Sequence, residues 1–169
     1  MNIFLPVLYA FVGSMAFCFI FNIRGSKIFF AALGGALGWL VYLLVGFIWP
    51  NDVFQYFIAA MFIAAYAELF ARWHKVPAIL YLVVASIPLV PGSGIYYTME
   101  YCIRGNTADF MSQGIHTISI AGAIAMGILV ITSFIHIYSM AKRKAMWLEL
   151  QMTEAIEKLE EKLDMEQNK

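Results

Sequence analysis

The run Ile87-Pro88-Leu89-Val90-Pro91-Gly92-Ser93-Gly94 sets two prolines and two glycines in the middle of an apolar stretch. Each proline removes a backbone N–H, and its ring clashes with the preceding turn. Each also pushes the residue before it away from α geometry. A helix crossing this run breaks, and its two halves expose backbone groups that a continuous helix would satisfy. The half before the break ends in free carbonyls, which favour a cation. The half after it begins at Ser93, a candidate N-cap, with free amides that favour an anion. An amino-acid zwitterion, or a dicarboxylate with an accompanying cation, suits such a pair of helix ends. The competing reading is a kink that holds no ligand. Tyr96, Tyr97 and Tyr101 follow the break and can line a cavity there, although tyrosine is also common at membrane interfaces. The candidate substrate-binding set is Pro88, Leu89, Val90, Pro91, Gly92, Ser93, Gly94 and Tyr97.

Two Glu-x-x-x-Arg pairs flank this run, Glu68 with Arg72 and Glu100 with Arg104. At i,i+4 each pair shares one helix face. A carboxylate within a membrane helix is a candidate for carrying a proton or holding a substrate amine, and Glu68 lies about 6 Å inside Arg72 along the axis. The simpler role for Glu68 is to balance Arg72. Glu100 and Arg104 suit a gate or a loop anchor, so these four residues are the coupling or gating candidates. His116 and His136 are twenty positions apart and cannot share a metal, which leaves interfacial hydrogen bonding. Cys18 and Cys102 have no metal or redox spacing and read as packing residues. No nucleophile–base pair, phosphate loop or ligand cluster is present, so the residues support neither an enzyme nor a cofactor.

The elements that must position these residues are membrane helices. Hydrophobic residues make up 62% of the chain and charged residues 13%, with a mean hydropathy of +0.76. Most of the charge is concentrated after Ala141. The first 140 residues cannot build a solvated surface, so lipid is their solvent. A net charge of zero gives no footprint for nucleic acid. Five stretches have the length and apolarity of spans: Ile3–Phe21, Ile28–Trp49, Val53–Ala71, Ala78–Met99 and Ile115–Met140. The expected fold is therefore an all-α integral membrane protein of five transmembrane helices over residues 1–140. Its fourth helix is broken at the Pro-Gly run, and residues 141–169 form a cytosolic amphipathic tail. The first span lacks the basic n-region and the short apolar core of a removable signal.

Basic residues orient these spans. Arg24, Lys27, Arg72, Lys75 and Lys142-Arg143-Lys144 would share one side, against Arg104 on the other. The bias predicts an external N-terminus and a cytoplasmic C-terminus. Small residues recur along the spans, as Ala31, Gly34, Gly35 and Gly38, as Ala60, Ala64, Ala67 and Ala71, and as Ala121 through Gly127. They serve close packing, either within the chain or against a partner. In the tail, Leu148, Met152, Ile156, Leu159 and Leu163 form one apolar stripe among Glu and Lys. This suits docking to a cytosolic partner or to a second copy of the chain.

Asn22–Tyr42, Ala71–Tyr81 and Pro88–Gly92 together resemble the short, YjjB-type half of the threonine/serine exporter (ThrE) family. The combination of Val76-Pro77-Ala78 with Pro-Leu-Val-Pro-Gly is the more specific part, and the resemblance covers about residues 1–140. It implies export of threonine and serine across a prokaryotic inner membrane, driven by the proton motive force, with dicarboxylate export in some members. It also implies a longer YjjP-type partner subunit. Pro88 through Gly92, with Pro77, are the positions it carries over, and the tail lies beyond it. A membrane scaffold or assembly protein without transport is the competing class.

Overall fold

In a computed structural model, residues 3–167 are described, with side chains described as far as Thr153. The helices are α1 (Phe4–Ile20), α2 (Lys27–Ile48), α3 (Asp52–His74), α4 (Ala78–Ser86), α5 (Gly92–Ile103) and α6 (Thr107–Gln167). A single 3-10 turn, Ile87–Leu89, follows α4. No strand occurs among the described residues. Two compact units divide the chain, Met1–Thr132 and Ser133–Lys169.

Three helices end in the same way. Asn22, Lys75 and Gly105 adopt positive φ after α1, α3 and α5. In each case the next amide reaches back to a carbonyl five residues earlier: Ile23 to Cys18, Val76 to Ala71 and Asn106 to Tyr101, at 2.9–3.0 Å. This closure satisfies carbonyls that a helix end would otherwise strand. Pro77 then starts α4 immediately beyond the left-handed Lys75. α3 is the best-terminated helix. The Asn51 side chain accepts from the Phe54 amide at 3.2 Å, and Asp52 sits in the first turn, where the helix dipole favours an anion.

The core is built on the small residues of α2 and α3. Ala31, Ala32, Gly34, Gly35, Ala36 and Gly38 are buried on α2, and Ala59, Ala60, Ala64, Ala67 and Ala71 on α3. A methyl group on Gly34 would meet the Tyr66 ring, and one on Gly38 would meet Ile63 Cγ2 at 2.5 Å. These glycines are therefore filled by the chain's own neighbours. α4 completes the core with Tyr81, Val84 and Ala85. On α6 the use is divided: Ala123 and Gly127 are buried, while Ala121, Gly122 and Ala125 are exposed.

By length and composition, three helices can cross a membrane, and four can if the bent pair α4–α5 is one span. The sequence suggests five. The difference lies in α1, whose 17 residues rise about 26 Å, less than the ~30 Å of a hydrocarbon core. The sequence also reads residues 100–114 as a connection, but α5 runs on to Ile103 and α6 starts at Thr107. Asn106 explains the early start. Its Oδ1 accepts from the Asp109 amide at 3.4 Å and its amide group donates to Asp109 Oδ2, so a three-residue turn suffices. The tail belongs to α6, and the part of its apolar stripe formed by Ile156, Leu159 and Leu163 lies outside the described side chains.

Candidate functional site

α4 stops at Ser86 because Pro88 cannot donate to the next helical carbonyl. The Ile87 amide turns instead to Val84 O, and the Val90 amide to Ile87 O at 3.2 Å. Val90 is extended (φ −61°, ψ 125°), as a residue before proline prefers. Pro91 then sits at φ −76°, ψ 56°, and the Gly92 amide donates to Val90 O at 2.7 Å. This is an inverse γ-turn centred on Pro91. α5 leaves it bent by 50° from the preceding helical segment.

The N-cap of α5 is thus Pro91, not Ser93. The γ-turn brings the chain into helical geometry two residues earlier, so Ser93 lies inside the first turn and its side chain makes no cap. Gly92 spends its amide on Val90, and the Ile95 amide reaches Pro91 O at 3.1 Å. Helix geometry leaves the Ser93 and Gly94 amides between them without an intrahelical acceptor.

The eight candidate residues separate into two groups. Leu89 is fully buried among Ala59, Ile63 and Ala85, and Pro88 is half-buried against α2. Gly94 is buried because a methyl group there would stand 2.6 Å from Thr117 Oγ1 on α6. Val90, Gly92, Ser93 and Tyr97 are exposed, as is Tyr96, and Pro91 is intermediate. A methyl group on Gly92 would meet nothing within 4 Å, so the glycine is not needed for contact within the chain. The break therefore shows one face to the bundle and the other outward.

The inward face contains features that the sequence did not single out. A cleft of about 290 Å³ is lined by Pro6, Tyr9 and Ala10 of α1, Trp39 of α2, and Pro88. Beside it, Ser14 Oγ lies where a methyl group on Gly35 would go, and Pro88 Cγ is 3.3 Å from the same point. Ser14 is fully buried. Among the described residues, Ser14 Oγ and Trp39 Nε1 are the two buried side-chain polar atoms with no hydrogen-bond partner. An unpaired buried donor costs about 1–3 kcal/mol, so two of them around one helix break mark a place where bonding capacity is held open. The signal in the sequence is faint: a serine alone in an apolar run, and a tryptophan well inside a span rather than at its end.

The charged candidates lie apart from this cleft's lining. Arg72 Nε is 3.7 Å from Glu68 Oε2, and Arg104 Nη2 is 2.6 Å from Glu100 Oε1. Each carboxylate is thus paired with the arginine four residues later, Arg72 within α3 and Arg104 just past the end of α5. His116 is brought to Asp52 of α3, with Nε2 3.9 Å from Oδ2, and Tyr42 donates to Asp52 Oδ1 at 3.4 Å. Tyr42 in turn stacks on Trp39, with ring centroids 4.9 Å apart. A chain of polar and aromatic groups therefore runs from the cleft wall to the end of the bundle where α2 meets α3. Among the described residues no cluster of His, Cys, Asp and Glu could hold a metal.

A family model described as "Threonine/Serine exporter, ThrE" matches residues 6–134. The match includes every cleft residue, the break, and both Glu–Arg pairs. No solved structure matches the chain.

Proposed function

The chain belongs to the threonine/serine exporter family, and from that premise we propose that it is the membrane subunit of a two-component secondary transporter. It exports small amino acids, threonine and serine, using the proton motive force. The observation that carries this reading is the interrupted helix with Ser14 Oγ and Trp39 Nε1 left unpaired beside it. Irregular backbone is tolerated at membrane depth only inside protein or beside a watery cavity, and broken helices near the midplane are a recurring place for substrate in secondary transporters. A hydroxyl and an indole N–H are donors suited to a carboxylate or a hydroxyl, and threonine and serine carry both.

In this reading α1 is the first of five spans, and α4–α5 together form the fourth. The N-terminus is outside the inner membrane of a prokaryotic cell and the C-terminus is cytoplasmic. The cleft then lies in the outer half of the bundle, since Pro6 and Tyr9 come from the start of α1. The outward face of the break, with Val90, Ser93 and Tyr97, is where the longer YjjP-type subunit completes the pathway. An odd number of spans suits one half of an inverted pair. The work is transport, not catalysis.

The test is efflux from proteoliposomes holding this chain, its longer partner, or both, loaded in turn with threonine, serine and succinate. Efflux of threonine and serine that needs both subunits and collapses with a protonophore is expected. Full efflux from this chain alone would overturn the two-component reading. Efflux of succinate but neither amino acid would move the substrate to the dicarboxylates. A stable pair that moves none of the three would leave a scaffold.

A further inference from the structure

His74 is the last residue of α3, and its half-buried ring lies against aromatic side chains from three helices. The centroids of Phe30 (α2), Trp73 (α3) and Tyr81 (α4) lie 5.0, 5.3 and 5.8 Å from its own, and Phe70 stacks at 6.3 Å. One ring nitrogen, Nδ1, is in reach of two oxygens: Phe70 O at 3.1 Å and the Tyr81 hydroxyl at 3.0 Å. Tyr81 is fully buried and belongs to the cluster that joins α1, α2, α3 and α4.

A single nitrogen cannot serve both oxygens in the same way. With the ring neutral and its proton on Nε2, Nδ1 accepts from the Tyr81 O–H and leaves Phe70 O facing a lone pair. In the charged ring both nitrogens carry protons, so Nδ1 donates to Phe70 O, and the buried Tyr81 hydroxyl loses the acceptor that the neutral Nε2–H tautomer offers it. A buried donor without a partner is costly, so the proton is resolved by a movement of α4 or of the Tyr81 ring. α4 is short. Tyr81 lies about 8 Å along its axis from Ser86, where the helix gives way to the 3-10 turn and the Pro88 break.

We propose that His74 is a proton-binding site of the transporter, and that Tyr81 passes its protonation state along α4 to the broken segment. Histidine changes charge within the pH range of living cells. The groups facing the ring from the other packed elements are Phe30, which does not titrate, and Tyr81. On α3 itself the charged neighbours Glu68 and Arg72 are paired with each other, and Lys75 follows beyond the helix end. The assignment rests on the exporter reading for its purpose, but its test does not require transport.

The full chain is placed in lipid nanodiscs with Cys102→Ser and an environment-sensitive fluorophore on Val90→Cys, an exposed position in the break. The three histidines are followed by NMR, and His74 is identified by its loss in His74→Gln. The expected result is that the fluorescence and the His74 signal change together as the pH is varied. His74→Gln should flatten the fluorescence titration. Tyr81→Phe, which keeps the ring and its packing, should flatten it too while His74 still titrates. Fluorescence that still titrates in His74→Gln, or that stays flat in the parent while His74 titrates, overturns the proposal. Intact fold in both variants is read from unchanged His116 and His136 signals. Absence of amino-acid efflux from reconstituted pairs that hold the unaltered chain would count against the exporter reading alone.

Discussion

α3 and the α4–α5 segment have comparable apolar content but dispose of their backbone in opposite ways. α3 runs uninterrupted from Asp52 to His74, capped by Asn51 and closed by Lys75. Its peptide groups are satisfied internally, and it meets its neighbours through buried alanines and the ring of Tyr66, whose hydroxyl finds Phe30 O at 2.8 Å. α4–α5 bends by 50° at two prolines, bridges the gap with a 3-10 turn and a γ-turn, and has two unpaired side-chain donors packed nearby. In lipid, where each unsatisfied polar group is costly, a sequence that could have been another α3 has been kept broken. The contrast is between a span that runs unbroken from cap to cap and one interrupted beside two unpaired donors that belong to α1 and α2.

The comparison breaks most visibly if the second segment is made to resemble the first. Pro88→Ala, Pro91→Ala and Gly92→Ala together remove the breakers, each of which costs ~1–3 kcal/mol relative to alanine inside a helix. Gly94 is left alone because a methyl group there would strike Thr117. Export by the reconstituted pair, normalised to membrane expression, should fall by about tenfold or more, equivalent to ~1.4 kcal/mol in the barrier, with folding and pairing retained. Wild-type export would reduce the break to a packing kink.

A change at the scaffold's surface should cost stability instead. A methyl group on Gly127 of α6 would lie 2.7 Å from Phe57 O and 3.2 Å from Met61 N, both backbone atoms of α3. Gly127→Ala should therefore lower stability by ~1–3 kcal/mol, as overpacking does. Gly122→Ala, with nothing within 4 Å, should be neutral or raise stability by up to ~1 kcal/mol. Thermal melts of the two variants in detergent decide this. Equal melting temperatures would mean that α6 does not seat on α3 through Gly127.

A pair of single-atom deletions sharpens the contrast further. Ser14→Ala removes an unpaired buried hydroxyl and should leave stability unchanged or raise it by ~1 kcal/mol, while weakening substrate-dependent thermal stabilisation. Tyr66→Phe removes a satisfied one and should cost ~0.5–1.5 kcal/mol with substrate stabilisation intact. If the serine variant keeps wild-type substrate stabilisation, the open hydroxyl has no ligand.

The smallest effect belongs to Glu68 and Arg72. More than half of the Arg72 side chain is exposed, and such pairs contribute ~0–1 kcal/mol. Glu68→Gln with Arg72→Gln should restore whatever export either single change removes. Export that stays abolished in the double variant but survives in Arg72→Gln would identify Glu68 as a proton carrier.

The sequence by itself determined the solvent, the class of fold and the place of the break. Hydrophobic composition and the location of charge depend on no tertiary contact, and Pro88 and Pro91 withhold their amides in any environment. The tertiary structure decided how those features are used. The α2 glycines could have served a partner as well as this chain, and only the arrival of Tyr66, Ser14 and Ile63 shows them filled from within. Ser93 reads as a cap because serine caps helices, but the γ-turn at Pro91 moved the helix start past it. Tyr97 and Leu89 stand in one sequence run, yet one is exposed and the other fully buried. Ser14, Trp39 and Pro88 come from α1, α2 and the 3-10 turn, and Phe30, His74 and Tyr81 from α2, α3 and α4. No local pattern encodes their meeting, because side chains far apart in sequence become neighbours only when whole helices pack.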